Sequence, residues 1–467
     1  HGVARPDQVA QVQPFNEQAD IAGKERPVHH LAGLAAATVE MDIHGKHVLI
    51  GQPQYHLVPA AAVEPRGVQQ QYRVARAGPL VHAEFDVADI EGEFAGFLHG
   101  GYHFRLMGRV VISQSPGRGM IMPVRFVYSR DWTRNKECSR MTQEIVNTVT
   151  GPISVNDLGV TLMHEHLLIG YPGWEANTLQ PGPSREEIVA TCVGKIEDMQ
   201  AHGIRSMLDP CPNDLGRDVT LAAEVADRTG FNIICATGLY KEDEGGVPHW
   251  HFLRSLGRGV ECMAELFIHE LTRGIGETGI KAGIIKVATG EGRITDYEYE
   301  VLEAAAQAAV ETGAPITTHT DQGTMGEEQQ QFLTDKGVPP HRIIIGHSCG
   351  SANHAYHLNI LDRGSYLGFD RFGLEVLAPD EQRIESLVAL LKKNRERGIV
   401  VSHDGVWCTR GQPFPAELLA AMDPDVLFNP THFHRNIIPR LLAAGISQAQ
   451  IDTMLVDNPR RFFSGET

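Results

Sequence analysis

From residue 141 onward the chain alternates between short apolar runs and longer stretches with apolar residues on one helical face. Eight runs predict strands: 159–164, 204–209, 231–237, 282–288, 315–319, 342–347, 366–370 and 398–403. Most are close to continuously apolar, as parallel strands buried on both faces require. The stretches between them carry helix start and stop signals. Ser184-Arg185-Glu186-Glu187 is a capping box, and the helix it opens presents Ile188, Cys192, Ile196 and Met199 before stopping at Gly203. Thr295-Asp296-Tyr297-Glu298 opens an Ala-rich helix that ends at Gly313. Residues 380–397 predict a third helix closed by Gly398, and Ser447-Gln448-Ala449-Gln450 starts the last major one. Eight β/α units within residues 141–467 point to an α/β chain folded as a TIM (β/α)8 barrel. A doubly wound open sheet is the alternative, but no Gly-x-Gly-x-x-Gly follows the first strand.

Residues 1–140 lack this rhythm. Gln, Arg, His, Gly and Pro interrupt nearly every window, and only short strand-like runs stand out, Val48-Leu49-Ile50 and 107–112. Nine histidines lie here, His29, His30, His44 and His47 among them, without a ligand spacing. The charge balance shifts at the same point. Residues 1–140 carry 15 Lys and Arg against 14 Asp and Glu; of chain totals of 41 and 58, that leaves 26 against 44 for the remainder. Met141-Thr142-Gln143-Glu144 reads as a natural start. Residues 1–140 are therefore expected to be an N-terminal extension, through a misplaced gene start or as a disordered segment, with a small accessory domain as the alternative.

A net charge of −17 argues against nucleic acid or an anionic membrane surface as partner. The seven cysteines are scattered and odd in number, which speaks against a disulfide framework and for a reducing compartment. No apolar run is long enough to span a bilayer, and the first residues lack the apolar core of a signal peptide. The expected location is the cytoplasm.

A TIM barrel works at the C-terminal ends of its strands. Here those ends carry His164 and His166 (first strand), Lys286 (fourth), His319 (fifth), His347 (sixth) and Asp404 (eighth), each after an apolar run. His164 and His166 are two apart, so on a strand they point the same way and make half of a metal pocket. Two other pairs share that spacing: His249-Trp250-His251, read as loop after Gly-Gly-Val-Pro, and His432-Phe433-His434, read as a surface or packing element. Any one such residue is commonly structural; six at matching ends are not. Lys286 is the odd member, because a protonated amine repels a metal. It is either a buried counter-ion for Asp404 or, after reaction with carbon dioxide, a carbamate able to bridge two metals.

These residues resemble the phosphotriesterase family of the amidohydrolase superfamily, in particular its phosphotriesterase-like lactonases. The markers are Gly159-Val160-Thr161-Leu162-Met163-His164-Glu165-His166, Gly216-Arg217-Asp218, Ala236-Thr237-Gly238-Leu239-Tyr240, Ile285-Lys286, Thr318-His319-Thr320, Gly346-His347-Ser348, Ser402-His403-Asp404 and Asp457-Asn458-Pro459-Arg460-Arg461-Phe462. The resemblance covers residues 141–467 and nothing before them. It implies a binuclear metal-dependent hydrolase acting on a small molecule. His164, His166 and Asp404 would hold the buried metal, His319 and His347 the exposed one, and carboxylated Lys286 would bridge them with a hydroxide. The two divalent ions would be zinc, with manganese, cobalt or iron also accepted by such ligands. The bridging hydroxide would attack a carbonyl or phosphoryl carbon or phosphorus, and Asp404 would take its proton, passing it on through His403 or to the leaving group.

The same resemblance implies a homodimer and a pocket lined by Tyr240 and Arg371; Trp407, three residues after Asp404, is placed to add an apolar wall. Arg371 reads equally as an ion-pair partner in the barrel wall, and Trp407 as loop packing. Phe372, Gly405-Val406-Trp407-Cys408 and Lys241-Glu242-Asp243-Glu244 depart from the commoner lactonase pattern. The expected activity is lactone opening with promiscuous organophosphate hydrolysis. The alternatives are hydrolysis of another carboxylic ester or an N-acyl amino acid amide, and a non-catalytic binding barrel.

Overall fold

The computed structural model describes residues 144–414 and 426–467 in full, and before them only the backbone of five short strands. The chain divides into two units, His1–Asn135 and Lys136–Thr467. In the first, Met41–His44 pairs antiparallel with His47–Ile50, and Phe94–Leu98, Tyr102–Leu106 and Phe126–Val127 form an antiparallel sheet. Val48, Leu49 and Ile50 thus lie in a strand. The run at 107–112, His29, His30 and Met141 lie outside the described residues.

In the second unit all eight predicted strands form: β1 Val160–Leu162, β2 Ile204–Asp209, β3 Asn232–Gly238, β4 Ile284–Thr289, β5 Ile316–Thr320, β6 Ile343–Ile345, β7 Tyr366–Phe369 and β8 Ile399–Val401. They pair in parallel, each with its neighbour in sequence. The seam between β1 and β8 is drawn together by backbone bonds: Met163 N–H to the Val401 carbonyl (3.3 Å) and Asp404 N–H to the His164 carbonyl (3.0 Å). The result is a nearly closed (β/α)8 barrel. Beyond the rim the two edges run on together, Glu165–Ile169 beside Gly405–Thr409, with Gly405 opposite Glu165 and Val406 opposite His166. The first strand therefore does not end at the His-x-His pair; it breaks at Met163 and resumes through it.

Alternation along each strand sorts its side chains into two cores. Ile233, Cys235, Ile343, Ile345, Ile399 and Val401 face the helices, among Ile188, Cys192, Ile196 and Met199. Ile234, Ala236, Ile284, Ile344, Tyr366 and Val400 fill the lower barrel, with Phe462 and Phe463 of the last helix, Asn458–Ser464, closing it from below. The inward row then continues upward: Ile284 leads to Lys286, Tyr366 to Asp370, Val400 to Asp404, and Thr317 to His319. An apolar plug therefore supports a charged mouth.

The helices start where the caps predict. Arg185–Ala201 and Asp296–Thr312 open on capping boxes at Ser184 and Thr295, each satisfying amide donors that the first turn leaves unpaired. The third predicted helix is shorter, Asp380–Leu391, because Asn394 takes a left-handed conformation (φ 57°) that ends it before the separate turn Glu396–Gly398. His249 and His251 are on a helix, Pro248–Ser255, not in a loop; Pro248 at its first position suits a helix start. Residues two apart on a helix point in different directions, which removes that pair as a metal site. Among the described residues no helix is long and apolar enough to cross a membrane.

Candidate metal centre

The strand ends bring four predicted residues into contact with Asp404. Its Oδ1 lies 3.4 Å from His164 Nε2 and 3.3 Å from His166 Nε2, and its Oδ2 lies 3.7 Å from His347 Nε2 and 2.8 Å from Arg371 Nε. Lys286 Nζ is 3.1 Å from His164 Nε2. The ring of His319 sits 4.6 Å from that of His347, and Tyr240 Oη is 3.3 Å from His319 Nδ1. His164, His347 and Asp404 form one group whose ligand atoms could close on an ion.

Each histidine has one nitrogen tied to a carboxylate. Asp370 accepts from His164 Nδ1 (3.2 Å) and from His347 Nδ1 (2.9 Å); Asp209 accepts from His166 Nδ1 (3.2 Å); Asp321 accepts from His319 Nε2 (2.6 Å). For His164, His347 and His319 the opposite nitrogen is thereby left proton-free and able to bind a cation, whereas His166 is held well above the usual imidazole range, burial opposing and the Asp209 and Asp404 carboxylates favouring its charged form. Among the described residues His347 Nε2 is buried with no hydrogen-bond partner, an acceptor that a divalent metal would satisfy. The donor set of imidazoles and a carboxylate suits a divalent transition metal.

Two of these residues hold uncommon backbone conformations: His347 (φ 57°) and Asp404 (φ 51°) are left-handed. Such a conformation costs a non-glycine residue roughly 1–2 kcal/mol, and strain of this kind collects at functional sites. At Gly346, just before His347, a Cβ would run into the Thr318 carbonyl oxygen. Glycine is required there for the sixth strand to deliver its histidine.

Burial dominates the electrostatics. It pushes Lys286 down to about 8, against the pull of Asp404 and Asp370. It lowers His164, His347 and His319, the last to about 3, which favours the neutral, metal-binding imidazole. Burial would raise Asp404 and Asp370, but the surrounding imidazoles, and for Asp404 also the Arg371 guanidinium, hold both well below the usual carboxylate range. The Tyr240 hydroxyl is pushed well up, by burial and then by Glu244, so it keeps its proton.

Other predicted residues land elsewhere. Trp407 is buried in the helix-facing core; its neighbour Val406 joins Ile169, Tyr171, Cys211, Leu215 and Tyr240 in an apolar patch. His403 cannot relay a proton. Its Nδ1 donates to Glu165 Oε1 (2.6 Å) and its Nε2 accepts from the Phe433 amide (2.9 Å), so neither nitrogen is free. His432 is buried rather than at the surface, bonded to Asp380 (2.7 Å), a packing role and not a metal pair with His434.

Comparison with known proteins agrees with this geometry. The phosphotriesterase family model matches residues 144–463. A phosphotriesterase homology protein of Mycobacterium tuberculosis is 38% identical over 322 residues, covering 68% of this chain and 97% of that protein. The solved organophosphorus hydrolase of Deinococcus radiodurans is 39% identical with a TM-score of 0.66, covering 69% of this chain and 98% of that one. A further solved protein, described as organophosphate hydrolysis engineered from a weak promiscuous lactonase template, is 38% identical with a TM-score of 0.65, covering 68% and 99%. The chain belongs to the phosphotriesterase family, and it is a hydrolase.

Proposed function

We propose that residues 141–467 act as a self-sufficient binuclear metal hydrolase that opens lactones and hydrolyses phosphotriesters more slowly. The carrying observation is the convergence of four imidazoles, Lys286 and Asp404 on one mouth, each imidazole with one nitrogen held by a carboxylate. His164, His166 and Asp404 would hold one metal, His319 and His347 the other, with zinc the first choice and manganese, cobalt or iron accepted. Two such ions supply Lewis acidity toward a carbonyl or phosphoryl oxygen and make a water acidic enough to attack at neutral pH.

The protein's own residues do the rest. Lys286, pushed down to about 8, offers a neutral amine to carbon dioxide, and the resulting carbamate would turn an obstructive cation into a bridging anion. Asp404, an ionised carboxylate with Arg371 on its outer oxygen, accepts the proton of the attacking water and returns it to the leaving group. Tyr240 keeps its hydroxyl proton and donates it to a substrate oxygen beside His319. Ile169, Tyr171, Leu215 and Val406 offer apolar contact to the chain of a lactone. The lactone reading draws on the relative derived from a lactonase template. A cytoplasmic homodimer is the accompanying proposal.

The test is metal content of protein expressed from Met141, with turnover of γ- and δ-lactones, acyl-homoserine lactones and paraoxon. Two metals per chain with faster lactone than paraoxon turnover is the expected result. Two metals without lactone turnover would transfer the reading to esters or N-acyl amino acid amides. No metal after reconstitution with bicarbonate and zinc or cobalt would overturn it.

A further inference from the structure

The four carboxylate–histidine bonds are not built alike. Asp370 and Asp209 are buried at the ends of barrel strands, where the sheet fixes them. Asp321 instead sits on a single turn, Asp321–Gly323, after β5, with its side chain 23% exposed. A carboxylate on such a turn needs a second anchor to hold a ring in place. Lys241 provides it: its Nζ is 2.8 Å from Asp321 Oδ2, while Asp321 Oδ1 takes His319 Nε2. Lys241 is itself buried and held from behind by Glu244 at 2.8 Å.

Lys241 adjoins Tyr240, whose hydroxyl meets the opposite nitrogen of the same ring. The segment after β3 therefore grips His319 at both ends, Tyr240 on Nδ1 and Lys241, through Asp321, on Nε2. Its backbone is fixed independently. Asp214 accepts from the Tyr240 amide (3.0 Å), and Glu298 accepts from the Glu242 amide (3.3 Å).

We propose that Lys241 and Asp321 are positioning residues for His319, and that through them the segment after β3 sets the affinity of the second metal. The inference rests on the binuclear reading above. Asp321 selects the tautomer that leaves Nδ1 without a proton, able to accept from Tyr240 or to bind a metal, and fixes the ring plane; Lys241 fixes Asp321. The other three histidines are oriented from the strands and do not depend on this segment. Loss of a carboxylate that orients a metal-bound histidine typically weakens metal binding about 10–100-fold.

The experiment titrates the metal-free full-length chain with zinc and with cobalt, following bound equivalents by calorimetry and the cobalt spectrum. In Asp321→Ala the first equivalent should bind as in the parent and the second about 10–100-fold more weakly. Lys241→Met should show the same one-site loss, about tenfold, and Lys241→Arg should restore it, with melting of the metal-free proteins unchanged. A second equivalent that binds normally in both Asp321→Ala and Lys241→Met overturns the inference, as does equal weakening of both equivalents. Fewer than two equivalents in the parent protein would instead remove the binuclear reading and this inference with it.

Discussion

The lower and upper halves of the barrel interior use the same strands and the same inward-facing rows, and differ by two or four residues along each strand. Ile284 lies below Lys286, Tyr366 below Asp370, and Val400 below Asp404. The lower half is apolar and gains from exclusion of water. The upper half carries ionisable groups to which that exclusion is costly, and it offsets part of the cost by pairing the carboxylates: Asp370 with two histidines, Asp209 with one, Asp404 with Arg371. Stability sits below and reactivity above. Burial above the apolar plug is what perturbs the ionisation of Lys286.

That contrast can be broken from either side. The largest effect is expected in the upper half. Asp404→Asn removes the proposed proton acceptor and metal ligand, and turnover of the folded protein should fall about 10²–10⁴-fold. Equal turnover in the variant would sink the role assigned to Asp404. In the lower half the pattern should invert. Ile344→Ala leaves a cavity in the plug and should cost about 2–5 kcal/mol in denaturant unfolding, with turnover of the folded protein unchanged. A turnover loss as large as that of Asp404→Asn would show that the two halves are not separable.

The smallest effect reports on how the plug acts on Lys286. Carbon dioxide reacts with the neutral amine, whose population grows with pH until the amine's own pKa. Burial lowers that value to about 8, so at fixed dissolved carbon dioxide the activation rate of metal-free protein should rise about tenfold per unit below pH 8 and flatten above it. A rate still climbing steeply between pH 9 and 10 would mean an ordinary, solvated lysine.

The strands, two capping boxes and the six strand-end residues were legible in the sequence because each is a local signal. An apolar run followed by His or Lys needs no knowledge of the rest of the chain. The carboxylates behind the histidines were not legible in the same way. Asp370 meets His164 across 206 positions and Asp209 meets His166 across 43, so nothing near either one marks its role. Asp321 is the exception, two residues after His319, and a His-x-Asp spacing was there to be noticed. Trp407 reads equally as pocket wall or as loop packing when the residues after Asp404 are read as a loop. The chain instead continues as the strand Gly405–Thr409, and alternation gives the mouth to Val406. His403 looked like a proton relay by adjacency alone; its bonds to Glu165 and Phe433 became visible only in three dimensions.

The seam between the first and last strands has a consequence for protein synthesis. The backbone N–H of His164 donates to Ser402 Oγ across 238 positions, so the two edges of the centre leave the ribosome far apart in time. A growing chain presents histidines long before it presents Asp404, so on the proposed reading the centre would be complete only once the last strand closes the ring.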